Sequence, residues 1–194
     1  TPAQLLDDAG ALGPNLTSIH ATHLTDEDIS LLGATGTGAC FCPTTERDLA
    51  DGIGPARVLH DAGSPISLGS DENAVIDPFE ELRGLEMHER VESGERGRFS
   101  TAELIAAASA NGYRSLGWEG GGELRVGAPA DFIAVTEDSV RTVGSRSEQI
   151  VYSATAADVT DVIVGGEEVV VEGHHRLGPT ADLLREALGL LRDL

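Results

Sequence analysis

Two residues carry the chemistry most worth following along this chain: a histidine that ends one apolar run and an aspartate that follows another. His20 closes Leu16-Thr17-Ser18-Ile19-His20, and Asp71 comes just after the run from Pro65 to Gly69. An imidazole moves protons near pH 7 or ligates zinc, and a carboxylate is a hard metal ligand or a general base. In parallel α/β sheets and barrels, functional side chains gather at the carboxyl ends of strands, so these two could share one pocket. The plainer alternative is a satisfied core histidine and a helix-capping aspartate.

Other candidates are weaker. His23 could join the same site, although a histidine at a turn into a helix more often caps or packs. Cys40 and Cys42 alternate on one run and so face one side, a layout open to a metal; without a second cysteine pair, two buried thiols is the commoner reading. His174-His175 reads as a solvated loop. Asp71-Glu72-Asn73 with Asp77 and Glu80 is dense in oxygen ligands, yet the sixth position of such a loop holds Ile76 where a calcium-binding EF-hand needs glycine. The glycines between Gly117 and Gly127 do not open a helix after a strand, which argues against a phosphate cradle. No Gly-x-Ser-x-Gly elbow occurs.

The elements that must hold these residues alternate short apolar runs with amphipathic stretches, the pattern of parallel strands joined by helices. Strands are expected at 16–20, 38–42 and 65–69. Helices are expected after Thr25, from Pro55 to Gly63, from Asp77 to about Glu92, and after the capping box Ser100-Thr101-Ala102-Glu103, with a polar loop from Thr44 to Gly54. From Gly117 the character changes to Val-rich runs. Asp131–Val135, Gln149–Tyr152 and Val159–Val164 read as strands, and Gly165-Gly166 as a hairpin turn into Glu167–Glu172. Pro179–Leu194 reads as an amphipathic docking helix. The expected division is 1–118, 119–178 and 179–194.

The chain has 194 residues, enough for a sizeable core, and 13 basic residues, all arginine, against 33 acidic ones give a formal charge of −20. That excess excludes nucleic acid and anionic membrane surfaces as natural partners and leaves a small-molecule substrate. Two closely spaced cysteines suit a reducing, cytoplasmic setting. No apolar run approaches the ~18 residues of a membrane span.

Three segments in order, Ser18-Ile19-His20-Ala21-Thr22-His23-Leu24-Thr25, Cys42-Pro43-Thr44-Thr45-Glu46-Arg47-Asp48-Leu49-Ala50-Asp51-Gly52 and Leu68-Gly69-Ser70-Asp71, resemble the amidohydrolase superfamily. Many of its guanine and adenosine-type deaminases carry Ser-Asn after the Cys-Pro-Thr element. Thr45-Glu46 with Asp48 to Gly52 is similar instead to the formimidoylglutamate deiminase branch, as are Glu80-Glu81-Leu82-Arg83 and Ala128-Pro129-Ala130-Asp131-Phe132.

The resemblance implies an α/β fold: strands six to eight of a (β/α)₈ barrel, followed by most of a small β-sandwich domain. It implies a zinc-dependent hydrolase of amidine C–N bonds, converting N-formimidoyl-L-glutamate to N-formyl-L-glutamate and ammonia in histidine degradation. By motif position, His20 matches the sixth-strand histidine that orients and polarises the attacking hydroxide. Asp71 matches the eighth-strand aspartate, a zinc ligand and proton shuttle. Arg47 and Glu46 are candidates for substrate binding. One zinc per complete chain is implied, with most of its ligands expected upstream of Thr1, so that this chain alone is expected to be inactive; the full-length protein is expected to be a homodimer. Where the resemblance implies a small polar residue and often a histidine after Asp71, the chain has Glu72-Asn73, an added carboxylate beside a site for a dianion. The alternatives are another aminohydrolase, acting on a purine or a different amidine, and a non-catalytic half-barrel used for interaction.

Overall fold

A computed structural model describes residues 1–118 and 120–192. The amino-terminal part runs α1 (Pro2–Asp8), β1 (Thr17–Ile19), α2 (Asp26–Thr35), β2 (Gly38–Phe41), α3 (Pro43–Asp48), α4 (Ala56–Ala62), β3 (Ile66–Leu68), α5 (Pro78–Ser93), α6 (Thr101–Ala108) and α7 (Ala110–Ser115). β1, β2 and β3 form a parallel sheet in that order, with Ile19 level with Cys40, and Cys40 level with Ser67. This is the expected α/β architecture.

Alternation along the strands decides which face is packed. Ala39, Phe41 and Ile66 enter one core with Ile29 and Leu32 of α2, Leu59 of α4, Leu82 and Leu85 of α5, and Leu104 and Ala107 of α6. Burying each large member contributes about 1.5–3 kcal/mol. Ile19, Cys40 and Ser67 belong to the opposite face. The helices start where local chemistry dictates: Thr25 and Asp28 close a capping box on α2, Ser100 and Glu103 close another on α6, and Asp77 caps α5 ahead of Pro78.

The second sheet is antiparallel: β4 (Phe132–Val135), β5 (Val159–Val164), β6 (Glu167–Val171) and β7 (His174–His175), in sequence order. Gly165 and Gly166 turn β5 into β6 with φ of 59° and 81°, the left-handed pair such a turn requires. Asp131 ties this sheet to α7 by accepting the Tyr113 hydroxyl and the Gly165 N–H.

Three segments depart from expectation. Thr44 to Asp48 is helical, not a loop, because Pro43 presets the first turn and Glu81 of α5 takes the Thr44 N–H at 3.0 Å. Gln149 to Tyr152 is not a strand: a 3₁₀ turn at Ser147–Gln149 leads into α8 (Ile150–Ser153), whose Val151 is buried. A four-residue apolar run fits either state, and packing against α5 selects the helix. His174-His175 is strand β7, paired with Val171 and Val170, where a loop was expected.

α9 (Thr180–Arg192) carries Leu184, Leu188 and Leu191 as an exposed stripe. Asp193 and Leu194, within the expected 179–194 helix, and Glu119, within the expected 119–178 segment, lie outside the described residues. No described helix is long and apolar enough to cross a membrane.

Candidate metal centre

The carboxyl ends of the three parallel strands finish side by side, and the residues that leave them define the site. His20 extends the β1 ladder by one bond, its N–H donating to the Cys40 carbonyl at 2.7 Å, and the chain then turns sharply as the Ala21 N–H reaches the Ile19 carbonyl. His20 and Ala21 both have positive φ, 66° and 47°, a conformation that side chains resist. Asp71 shares it at 41°. Positive φ recurs at Ala50 and Asn73, in the loops after α3 and β3, and at Glu172 in the β6–β7 turn.

The side chains converge. His20 Nε2 lies 3.6 Å from Asp71 Oδ2, and one donor atom each from His20, Cys42 and Asp71 fall within 4.8 Å of one another. Ligands bound at 2.0–2.3 Å around a tetrahedral zinc stand about 3.3–3.8 Å apart, so the imidazole and carboxylate are spaced to flank one divalent cation. Nitrogen, sulfur and oxygen donors together also suit zinc chemically. Cys42 is the member of the cluster that sequence reasoning left among ordinary buried thiols; its shared face with Cys40 was readable, its place beside His20 was not.

The floor of the site is tight. A Cβ on Gly69 would stand 3.1 Å from Cys42 Sγ, tighter than ordinary packing, and 3.5 Å from Cys40 Sγ, an ordinary contact. Their mutual hydrogen bond lowers the Cys40 thiol below its ordinary range and, together with burial, raises that of Cys42.

Glu46, on α3, is 2% exposed and turns back toward the strand ends. Its Oε1 accepts the Cys42 N–H at 2.8 Å and stands 3.4 Å from His20 Nδ1. Burial raises its carboxyl above the usual range, opposed by the Cys42 N–H and by His20. Arg47, the next residue, leaves on another side of the helix and pairs with Glu80 of α5 at 2.9 Å. Glu80 also meets Arg83, and the two guanidiniums hold its carboxyl below the usual range. Thr45 reaches the Ser70 carbonyl at 3.4 Å and steadies the turn that delivers Asp71.

Glu72 is exposed among Asp48, Asp51 and Asp71, and desolvation with these like charges raises its carboxyl. His23 packs near Gly52 and is not part of the donor cluster. His174 and His175 bond to their own hairpin, through the Glu172 carbonyl and the Leu177 N–H.

Comparison with known proteins agrees with this arrangement. The sequence pattern of the amidohydrolase family matches residues 1–169, and the chain belongs to that family. It is 33% identical over 175 residues to a 5-methylthioadenosine/S-adenosylhomocysteine deaminase of Pelotomaculum thermopropionicum, covering 88% of this chain and 40% of the relative. It is 37% identical over 172 residues to an 8-oxoguanine deaminase of Pseudomonas aeruginosa, covering 87% and 38%. A zinc-bound adenosine deaminase structure from Xanthomonas campestris superposes with a TM-score of 0.90 at 27% identity, over all of this chain and 46% of that one. The chain therefore spans about two fifths of the length of the curated relatives it matches. These neighbours are amidohydrolase barrels, so the three parallel strands are part of a (β/α)₈ barrel.

Proposed function

We propose that the whole protein carrying this chain is a zinc-dependent hydrolase that releases ammonia from an amidine carbon, with His20 and Asp71 as catalytic residues and Asp71 as a zinc ligand. The 3.6 Å approach of His20 to Asp71 at the strand ends carries this reading. Zinc supplies Lewis-acid charge and a water of near-neutral pKa as nucleophile. Asp71 takes a proton from the attacking water as its oxygen bonds to the amidine carbon. His20 Nε2 accepts a hydrogen bond from the same oxygen and orients it. Both protons of the water end on the leaving nitrogen: Asp71 returns the one it took, the oxygen gives up the other as it becomes the carbonyl, and the carbon–nitrogen bond breaks to release ammonia.

For the substrate, the Thr45-Glu46 element and the run to Gly52 favour N-formimidoyl-L-glutamate, giving N-formyl-L-glutamate. A second reading, deamination of an aminopurine or its nucleoside, is favoured by the names of the relatives at 33% and 37% identity. Both present the same electrophile, a carbon between two nitrogens. Ammonia release by the zinc-loaded whole protein from N-formimidoyl-L-glutamate, 5-methylthioadenosine, S-adenosylhomocysteine and 8-oxoguanine separates them. Turnover of the first alone supports the deiminase; turnover of a purine alone assigns the second reading. No release from any of them removes the proposed reaction.

A further inference from the structure

We propose that Glu46 is a positioning residue: it holds the proton of His20 on Nδ1, so that the lone pair of Nε2 is left for the reacting oxygen's O–H. This deepens the hydrolase reading above and rests on it for its kinetic consequence.

Three observations carry it. The two ring nitrogens of His20 face two different carboxylates, Glu46 Oε1 at 3.4 Å from Nδ1 and Asp71 Oδ2 at 3.6 Å from Nε2. Glu46 is 2% exposed and Asp71 is 43% exposed, so only Asp71 stands open toward a small molecule. Glu46 is also fixed from behind. Its Oε1 is pinned by the Cys42 N–H, and the first turn of α3 that carries it is clamped to α5 through Thr44 and Glu81.

The proton assignment follows from acceptor geometry. An ionised carboxylate only accepts hydrogen bonds, so each ring nitrogen facing one is satisfied when it carries hydrogen; Glu46 is the nearer and the buried one, whereas half-exposed Asp71 can take its hydrogen bonds from water, so a neutral ring keeps its one proton toward Glu46. A neutral imidazole then has its lone pair on the other nitrogen. That lone pair can accept a hydrogen bond from an attacking water, the role given to His20 above. A carboxylate behind a working imidazole, setting its tautomer and ring orientation, is a recurrent arrangement whose loss typically costs 10–100-fold.

The test uses the whole protein labelled with [¹⁵N]histidine, with zinc as the only added metal and His20→Asn to identify the His20 signals among the chain's six histidines. Long-range proton–nitrogen NMR spectra are expected to show His20 protonated on Nδ1 in the parent protein. Glu46→Gln keeps an acceptor at this position and is expected to preserve the tautomer, whereas Glu46→Leu is expected to lose it. On the substrate identified above, Glu46→Leu is expected to lower kcat about tenfold with KM within about twofold, and Glu46→Gln to stay close to the parent protein.

An Nε2–H tautomer in the parent protein overturns the proposal without any variant having to fold. So does a tautomer unchanged in Glu46→Leu, or a rise in KM at constant kcat, which would make Glu46 a substrate ligand. The spectra need no substrate, so failure of the hydrolase reading and failure of the Glu46 assignment are seen separately.

Discussion

The two sheets are built from similar-looking apolar runs and solve opposite problems. In the parallel sheet, Ala39, Phe41 and Ile66 are at most 2% exposed beneath a layer of helices. In the antiparallel sheet, Phe132, Ile133 and Val164 are 43%, 49% and 53% exposed, so within this chain they gain less from burial and more from cross-strand side-chain neighbours. Backbone strain divides less sharply. The parallel sheet is followed by left-handed His20, Ala21 and Asp71; the antiparallel sheet gives that conformation to two glycines in the β5–β6 turn, where it costs little, and to Glu172 in the β6–β7 turn. At the rim of the packed region, His20 and Asp71 belong to the candidate site.

This contrast can be broken by substitution. The largest expected effect is at the strained rim. Asp71→Asn is expected to lower turnover by the whole protein on the order of 10²–10⁴-fold, with loss of bound zinc in elemental analysis. Full turnover would remove Asp71 from the chemistry. Next is the core. Leu59→Ala, at a fully buried position, is expected to cost about 2–5 kcal/mol in urea denaturation, and Ile133→Ala on the half-open β4 about 1 kcal/mol or less. Equal losses would abolish the distinction between the sheets.

The smallest effect is a pH dependence in the packed region. Desolvation raises the Glu103 carboxyl, but the Ser100 hydroxyl and N–H, with Arg57, outweigh it and bring the carboxyl from an ordinary 4.5 down to about 2. Because the folded value is depressed, the stabilisation is present above pH 4.5 and is lost as pH falls toward 2. Melting temperatures of the parent and Glu103→Gln proteins are expected to differ above pH 5 and to converge in acid. A constant difference across that range would show that Glu103 does not carry the dependence.

Much of this was legible in the chain. β1, β2 and β3 stand out as short apolar runs, the last two closed by Pro43 and Gly69, and α2 and α6 announce themselves through capping boxes whose partners lie three residues apart. The meeting of His20 and Asp71 followed from the rule that strand ends gather function. α3 was hidden because the acceptor for its Thr44 N–H comes from Glu81, 37 positions away. α8 was hidden because Val151 owes its state to a neighbour, not to its own short run. The place of Glu46 behind His20 was equally out of reach, since the imidazole it meets lies 26 positions away.

Gly69 has a further consequence. Its constraint is one of volume: a Cβ there would press on the Cys42 thiol at 3.1 Å while meeting Cys40 at ordinary contact distance. Positions 69 and 42 are therefore coupled, and a methyl gained at 69 is accommodated when the thiol at 42 shifts by a few tenths of an ångström or gives way to a smaller side chain. Substitutions at these two positions are expected to be non-additive.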